Sequence, residues 1–240
     1  MSNRFQVIFF DAAGTLFRVR GSVADIYLRH AMNHGFKANE ESLEKIQAAF
    51  ARAFQDAPPA VFAATEPTQI KQCERMWWFD IVHNVFYRLG MFDGFDMFFE
   101  EVFDVFGRAD TWMLYPETLK VLENLKIQQY ELGIISNFDS RLFVVLRGLG
   151  IAEYFQTVTI SSLAHAAKPS GRIFTQALEK HAVDPEDAIH VGDSLDEDVK
   201  GAQQAGLTGI LVERDPNSAM QGVRTIRNLE ELSLHLLHVE

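Results

Sequence analysis

The stretch Phe9-Phe10-Asp11-Ala12-Ala13-Gly14-Thr15-Leu16-Phe17 closes an apolar run, Phe5-Gln6-Val7-Ile8-Phe9-Phe10, with a carboxylate on a glycine-containing turn. A short, nearly continuous apolar run suits a central parallel strand buried on both faces. An aspartate at its carboxyl end then stands in the crevice outside the strand ends, where open α/β sheets place their ligands. Asp and Gly are also ordinary turn formers, so a strand-ending turn and a nucleophile both fit the stretch alone. The remaining chain decides between them.

Downstream of Phe17 the pattern is helical. Ser22 is a plausible N-cap for a helix reaching His34, with Val23, Ile26, Tyr27 and Ala31 at helical spacing and Gly35 as its stop. Further helices are expected over Glu40–Phe54, ended by Pro58-Pro59, over Pro67–Leu89 with Trp77-Trp78, and over Asp96–Phe106. From about Pro116 strands and helices alternate: a strand over Glu131–Ile135 ends in Ser136-Asn137, one over Thr157–Ile160 ends in Ser161-Ser162, one over Ala188–Val191 ends in Gly192-Asp193-Ser194, and a last covers Gly209–Val212. Intervening helices are expected over Ser140–Leu149, Ile173–His181 and Asp196–Ala205, with a final one over Asn228–Leu237. Such alternation implies a parallel sheet with right-handed crossovers, which brings Asp11, Ser136 and Asp193 to one edge. The expected architecture is α/β: a doubly wound, Rossmann-like parallel-sheet core over residues 1–16 and 111–240, with an inserted α-helical cap over residues 17–110. Thirteen of the twenty phenylalanines fall between Phe17 and Phe106, enough for the insertion to have its own apolar core.

With 240 residues and 48% apolar composition, the chain can bury a substantial core. Its formal charge of −11 argues against a nucleic-acid backbone or an anionic membrane as partner. Any anion site must be built locally. The single cysteine, Cys73, excludes an internal disulfide and reads as a buried, inert thiol. No secretory signal or ~20-residue apolar span is visible, so the chain reads as cytoplasmic.

A carboxylate nucleophile splits one hard substitution into two easier steps. Attack on a phosphate needs charge relief, which a Mg²⁺ ion held by Asp11 and Asp193 at neighbouring strand ends would supply. Asp198 stands ready to support the cation's surroundings or a lysine, with Asp196 and Glu197 as competitors for that role. Ser136 and backbone amides after each strand can hydrogen-bond the transferring group, and Lys168, in a loop stiffened by Pro169, can neutralise it. Four such features in order, each following an apolar run, favour a catalytic reading over separate turns and caps.

Asp11-x-x-Gly14-Thr15, Ser136-Asn137-Phe138-Asp139, Lys168-Pro169 and Gly192-Asp193-Ser194-x-x-x-Asp198 together resemble the four ordered motifs of the haloacid dehalogenase-like (HAD) superfamily. The helical insertion is similar to the first-position cap of its subfamily IA, and Trp77-Trp78 with the Asp-Ala-x-Gly-Thr-Leu-Phe motif resembles the REG-2-like (rhythmically expressed gene 2-like) branch. The resemblance implies that Asp11 is the nucleophile and that the Ala13 carbonyl and Asp193 complete a Mg²⁺ site with it. Ser136 and Lys168 would bind the phosphoryl group together with Ala12, Ala13, Gly14, Thr15 and Asn137, and Ser194 and Asp198 would back them. The expected substrate is a small phosphorylated molecule. One position departs from the phosphatase pattern: the acid/base aspartate two residues after the nucleophile is replaced by Ala13. A positioned acid/base contributes ~10²–10⁴-fold. The departure leaves three readings: a specialised phosphatase, a carbon-phosphorus or carbon-halogen hydrolase, and a catalytically weak phosphate-binding or interaction protein. A phosphonatase would use a cap lysine, of which Lys37, Lys45 and Lys71 are the candidates. His165, three residues before Lys168, is a further candidate for the missing acid, whereas His190 within a strand suits packing.

Overall fold

Val7–Phe10 form strand β1 with all four side chains buried, and the chain then turns through Asp11–Leu16 into a second short strand, β2 (Phe17–Val19). The computed structural model describes residues 5–215 and 222–236. Four helices follow: α1 (Val23–Asn33), α2 (Ser42–Asp56), α3 (Pro67–Leu89) and α4 (Phe95–Gly107). Ser22 caps α1 by accepting from the Asp25 amide at 3.0 Å, which satisfies one orphan donor of its first turn. Pro67 opens α3, where its missing N–H costs nothing, and Gly90 ends it at φ 118°. The chain returns through a 3₁₀ turn, Ala109–Thr111, to β3 (Trp112–Leu114), which pairs antiparallel with β2 in the register Val19↔Trp112.

Beyond this crossing come α5 (Thr118–Ile127), β4 (Glu131–Ser136), α6 (Leu142–Gly148), β5 (Thr157–Ile160), α7 (Ser161–Ala164), α8 (Gly171–His181), β6 (Ala188–Gly192), α9 (Gly201–Gln204), β7 (Thr208–Val212), β8 (Thr225–Ile226) and α10 (Ser233–Leu236). Six strands form one parallel sheet in the order β5-β4-β1-β6-β7-β8. β1 lies inside it, and strand order reverses there: the chain builds β4 and β5 on one flank, then β6 to β8 on the other. The crevice outside such a reversal is the standard ligand position of an open α/β sheet.

Three local features differ from expectation. β2 falls at the start of the segment expected to be almost wholly helical, and its partner β3 where the expected core resumes; the two strands have three residues each, too few for a periodic signal. The helix expected over Asp196–Ala205 opens as a π-helical turn, Leu195–Lys200, before α9. The end of the expected last helix, Leu237, lies outside the described residues; within them a 3₁₀ turn, Leu229–Leu232, leads into α10.

The phenylalanines of the helical block pack on one another. Phe86 meets Phe98 edge-to-face at 4.9 Å and Phe79 meets Phe99 at 5.0 Å, a geometry that adds ~0.5–1.5 kcal/mol per pair beyond area burial. Cys73 is half-buried on α3 rather than enclosed. Among the described residues no helix is long and apolar enough to cross a membrane.

Candidate active site

Asp11, Ser136 and Asp193 stand at one edge of the sheet because each ends, or directly follows, one of three adjacent strands. The Asp11 amide still donates to the Val191 carbonyl of β6 at 2.9 Å, so the chain leaves the sheet only at its side chain. The next residues coil tightly: Leu16 N donates to Ala12 O and Gly14 N to Phe17 O, both at 2.8 Å. Gly14 has φ 93°, and a Cβ there would collide with the Asp193 carboxylate. Thr15 Oγ1 donates to Asp193 Oδ1 at 3.2 Å, joining the turn after β1 to the one after β6. Gly192 is needed for a similar reason, since a Cβ on it would run into the Asp198 side chain.

Lys168 is the electrostatic centre. Its side chain is 2% exposed, and its ammonium donates to Asp11 Oδ1 at 2.7 Å and Asp198 Oδ1 at 2.5 Å. Burial alone would lower the lysine pKa, but the Asp11 and Asp198 charges outweigh it and drive it well above the ordinary range. Burial likewise opposes the charge on Asp198; Lys168 and a hydrogen bond from His190 Nε2 at 2.9 Å prevail and hold its carboxyl far below the usual range. The second Asp198 oxygen accepts from Ser194 N at 2.9 Å. His190 is fully buried, edge-on to Phe174 at 5.2 Å, and burial with the nearby Lys168 lowers its pKa; its Nδ1 meets no partner among the described residues.

Asn137 fixes where Lys168 stands. Its Oδ1 accepts from Lys168 N at 2.8 Å, and its Nδ2 donates to Lys168 O at 3.0 Å and to Glu197 Oε2 at 3.0 Å. Ser136, 3% exposed, precedes it at the end of β4. Carboxylate oxygens of Asp11, Asp193 and Asp198 lie within 4.8 Å of one another. With Asp198 committed to Lys168, His190 and the Ser194 amide, Asp11 and Asp193 retain oxygen capacity for a cation. Although the residue as a whole is exposed, desolvation of its carboxyl between the two turns, with the charges of Asp11 and Asp198, pushes Asp193 up to about 7 against the Thr15 hydrogen bond. All-oxygen donors crowded to that degree fit a hard divalent cation such as Mg²⁺.

The haloacid dehalogenase-like hydrolase family model matches residues 5–206, from the first strand through the Asp193–Asp198 turn. The chain belongs to that family. "Haloacid dehalogenase-like hydrolase domain-containing protein 3" of Bos taurus is 31% identical over 218 residues, covering 88% of this chain and 84% of the relative. A Methanothermobacter thermautotrophicus "Glyceraldehyde 3-phosphate phosphatase" is 37% identical over 106 residues, 44% of this chain and 47% of its own length. The structure of the putative HAD-hydrolase YfnB from Bacillus subtilis, bound to magnesium, superposes with a TM-score of 0.74 at 20% identity, covering 97% of this chain and 99% of that one.

In this HAD-like hydrolase the helical block reaches the sheet edge through contacts that the sequence hides. Glu74 on α3, 3% exposed, accepts from Ser140 N at 2.9 Å, Ser140 Oγ at 2.5 Å and Ser162 Oγ at 2.6 Å. Trp78 Nε1 donates to Asp139 Oδ2 at 2.6 Å, while Trp77 Nε1 turns to the Pro58 carbonyl at 2.8 Å. Arg141 pairs with Asp139, lies 3.9 Å from the Phe103 ring centroid and donates to the Phe103 carbonyl. Between block and sheet edge lies an apolar cavity of about 110 Å³, lined by Tyr27, Phe50, Trp78, Phe103, Trp112 and Phe138 among others. His165 Nδ1 donates to the Phe62 carbonyl at 2.7 Å, which gives it a tie to the α2–α3 connection. On the other flank Arg214 stacks 3.5 Å from the Tyr115 ring centroid and donates to Thr15 O and Glu117 Oε1 at 2.9 and 2.7 Å, bracing the turn after β1. Arg52 and Arg75 pair with Asp56 and Glu100. Helical periodicity cannot distinguish Glu74 from the solvated acids around it, and Arg214 lies 199 residues from the turn that it braces.

Proposed function

We propose that the protein is a Mg²⁺-dependent phosphatase of a small phosphorylated molecule, working through an aspartyl-phosphate on Asp11, with residues 17–110 as a subfamily IA cap on a core of residues 1–16 and 111–240. The observation that carries this reading is the Lys168 ammonium buried between Asp11 and Asp198, which takes one Asp11 oxygen and leaves the other to attack. Held by Asp11, Asp193 and the Ala13 carbonyl, Mg²⁺ would offset the charge of the bound phosphoryl group. Asp11 attacks phosphorus, Lys168 and Ser136 hold the transferring oxygens, and the amides of Ala12 to Thr15 with Asn137 orient them. Ser194 and Asp198 keep Lys168 in place. Water then cleaves the acyl-phosphate and restores Asp11. The glyceraldehyde 3-phosphate phosphatase relatives support phosphate ester chemistry.

Neither alternative hydrolase is favoured by the cap lysines or by the turn after β6. Lys37, Lys45 and Lys71 are all exposed, and Lys45 is paired with Glu41, so none has the enclosure that activates a Schiff-base lysine. The intact Gly192-Asp193 turn suits metal chemistry rather than metal-free halide displacement. The test is a screen of phosphate esters and phosphonates with and without Mg²⁺, with Asp11→Asn as control. Mg²⁺-dependent phosphate release that Asp11→Asn abolishes is expected; equal release by the variant refutes the reading.

A further inference from the structure

A phosphatase mechanism leaves one task unfilled. When the bond from phosphorus to the leaving oxygen breaks, an alkoxide needs a proton, and the water that later attacks the acyl-phosphate must lose one. Ala13 can do neither. The replacement must be a titratable group beside Lys168 and Asp11 that is not already committed. Asp198 is held by three donors, Asp193 has oxygens for the cation, His190 is sealed in the core, and His165 is tied to the Phe62 carbonyl of the α2–α3 connection rather than to Lys168 or Asp11.

Glu197 remains. The π-helical turn Leu195–Lys200 presents it at the sheet edge, with Ser194 Oγ accepting from its amide at 3.2 Å. Its Oε2 is fixed by Asn137 Nδ2, the same amide group that holds the Lys168 carbonyl, while the residue itself is open to solvent. Glu197 is therefore positioned by the loop that positions Lys168, which in turn holds Asp11. An ionised carboxylate there would repel an incoming phosphate. Although the residue as a whole is exposed, desolvation of its carboxyl, joined by the Asp198 and Asp11 charges, raises its pKa against the pull of Lys168 and the Asn137 hydrogen bond.

Resting on the phosphatase reading above, we propose that Glu197 is the acid/base of this enzyme in place of the absent aspartate at position 13: its carboxyl gives its proton to the leaving alkoxide as the phosphorus–oxygen bond breaks, and its carboxylate then takes a proton from the water that cleaves the Asp11 acyl-phosphate. The proton balance closes over one turnover.

Glu197→Gln tests this, because the glutamine oxygen can still accept from Asn137 while carrying no transferable proton. Turnover of an alkyl phosphate is expected to fall by ~10²-fold or more, with KM little changed, and to lose its dependence on the acid/base ionisation in the pH profile. For an aryl phosphate, whose leaving group needs no proton, formation of the acyl-phosphate should survive, giving a burst of phenol followed by slow turnover. Adding Ala13→Asp to the variant should restore alkyl phosphate turnover. Wild-type kinetics in Glu197→Gln overturn the proposal, as does an equal loss on both esters without a burst, which marks Glu197 as a brace for Asn137. A wild-type protein with no Asp11-dependent turnover of either ester overturns the phosphatase reading and this proposal together; failure of Glu197→Gln alone to discriminate leaves the phosphatase reading standing.

Discussion

Replacing Lys168 with methionine keeps most of the side-chain volume but removes the positive charge from between Asp11 and Asp198. Wild-type Lys168 is 2% exposed on its side chain, with partners at 2.7 and 2.5 Å, so water cannot take over the role of the ammonium. Breaking a buried pair by removing one partner costs ~3–5 kcal/mol, and a protein of this size loses about 2–4 °C of Tm per kcal/mol, so Tm should fall by about 6–20 °C. The pH dependence carries the sharper signature. In the wild type the lowered Asp198 pKa gives stability that is present above the unfolded carboxylate value of about 4 and is lost as pH falls through the folded value. In Lys168→Met the sign reverses, because neighbouring carboxylates without a cation gain by taking up a proton on folding. Calorimetry in EDTA at pH 5 and pH 8 should show the deficit of the variant shrinking on acidification. Adding Asp198→Asn should recover part of the lost stability, a coupling expected for groups in direct contact. A variant melting within 2 °C of wild type at both pH values, or a deficit that grows on acidification, refutes the account of Lys168 as the counter-charge of the site.

Gly14→Ala places a methyl group against the Asp193 carboxylate at φ 93°, so it should cost ~1–3 kcal/mol of stability and weaken Mg²⁺ binding at least tenfold by titration calorimetry; wild-type affinity would show that the Gly14 contact is not limiting. Glu74→Ala leaves the three Ser140 and Ser162 donors without their acceptor, for an expected loss of at least ~3 kcal/mol at about 1–3 kcal/mol per donor, and faster proteolysis of the α2–α3 connection. Unchanged proteolysis would mean that Glu74 does not fasten the helical block to the sheet.

The parallel sheet was legible because β1, β4, β6 and β7 are apolar runs closed by polar residues, and burial on both faces writes itself into composition. Asp11, Ser136 and Asp193 follow those runs directly, whereas Lys168 stands in the loop after α7 and was marked by its charge beside Pro169. The β2–β3 ribbon was hidden, since three-residue strands produce no alternation and their pairing joins residues 93 positions apart in the register Val19↔Trp112. Glu74 was hidden by its charge: a helical glutamate reads as solvated until the serines facing it are known. Glu197 stood beside Asp198 in the sequence, yet its role depends on Asn137, which reaches it across 60 residues.

The antiparallel crossing of β2 and β3 has a consequence for how such enzymes diversify. Because the chain leaves at Val19 and re-enters at Trp112, side by side, the excursion between them is closed at its base whatever its length or content. A different helical block between these two residues would keep the strand pairing at its base, but it would have to supply new partners for Ser140, Ser162 and Asp139, which Glu74 and Trp78 fill here.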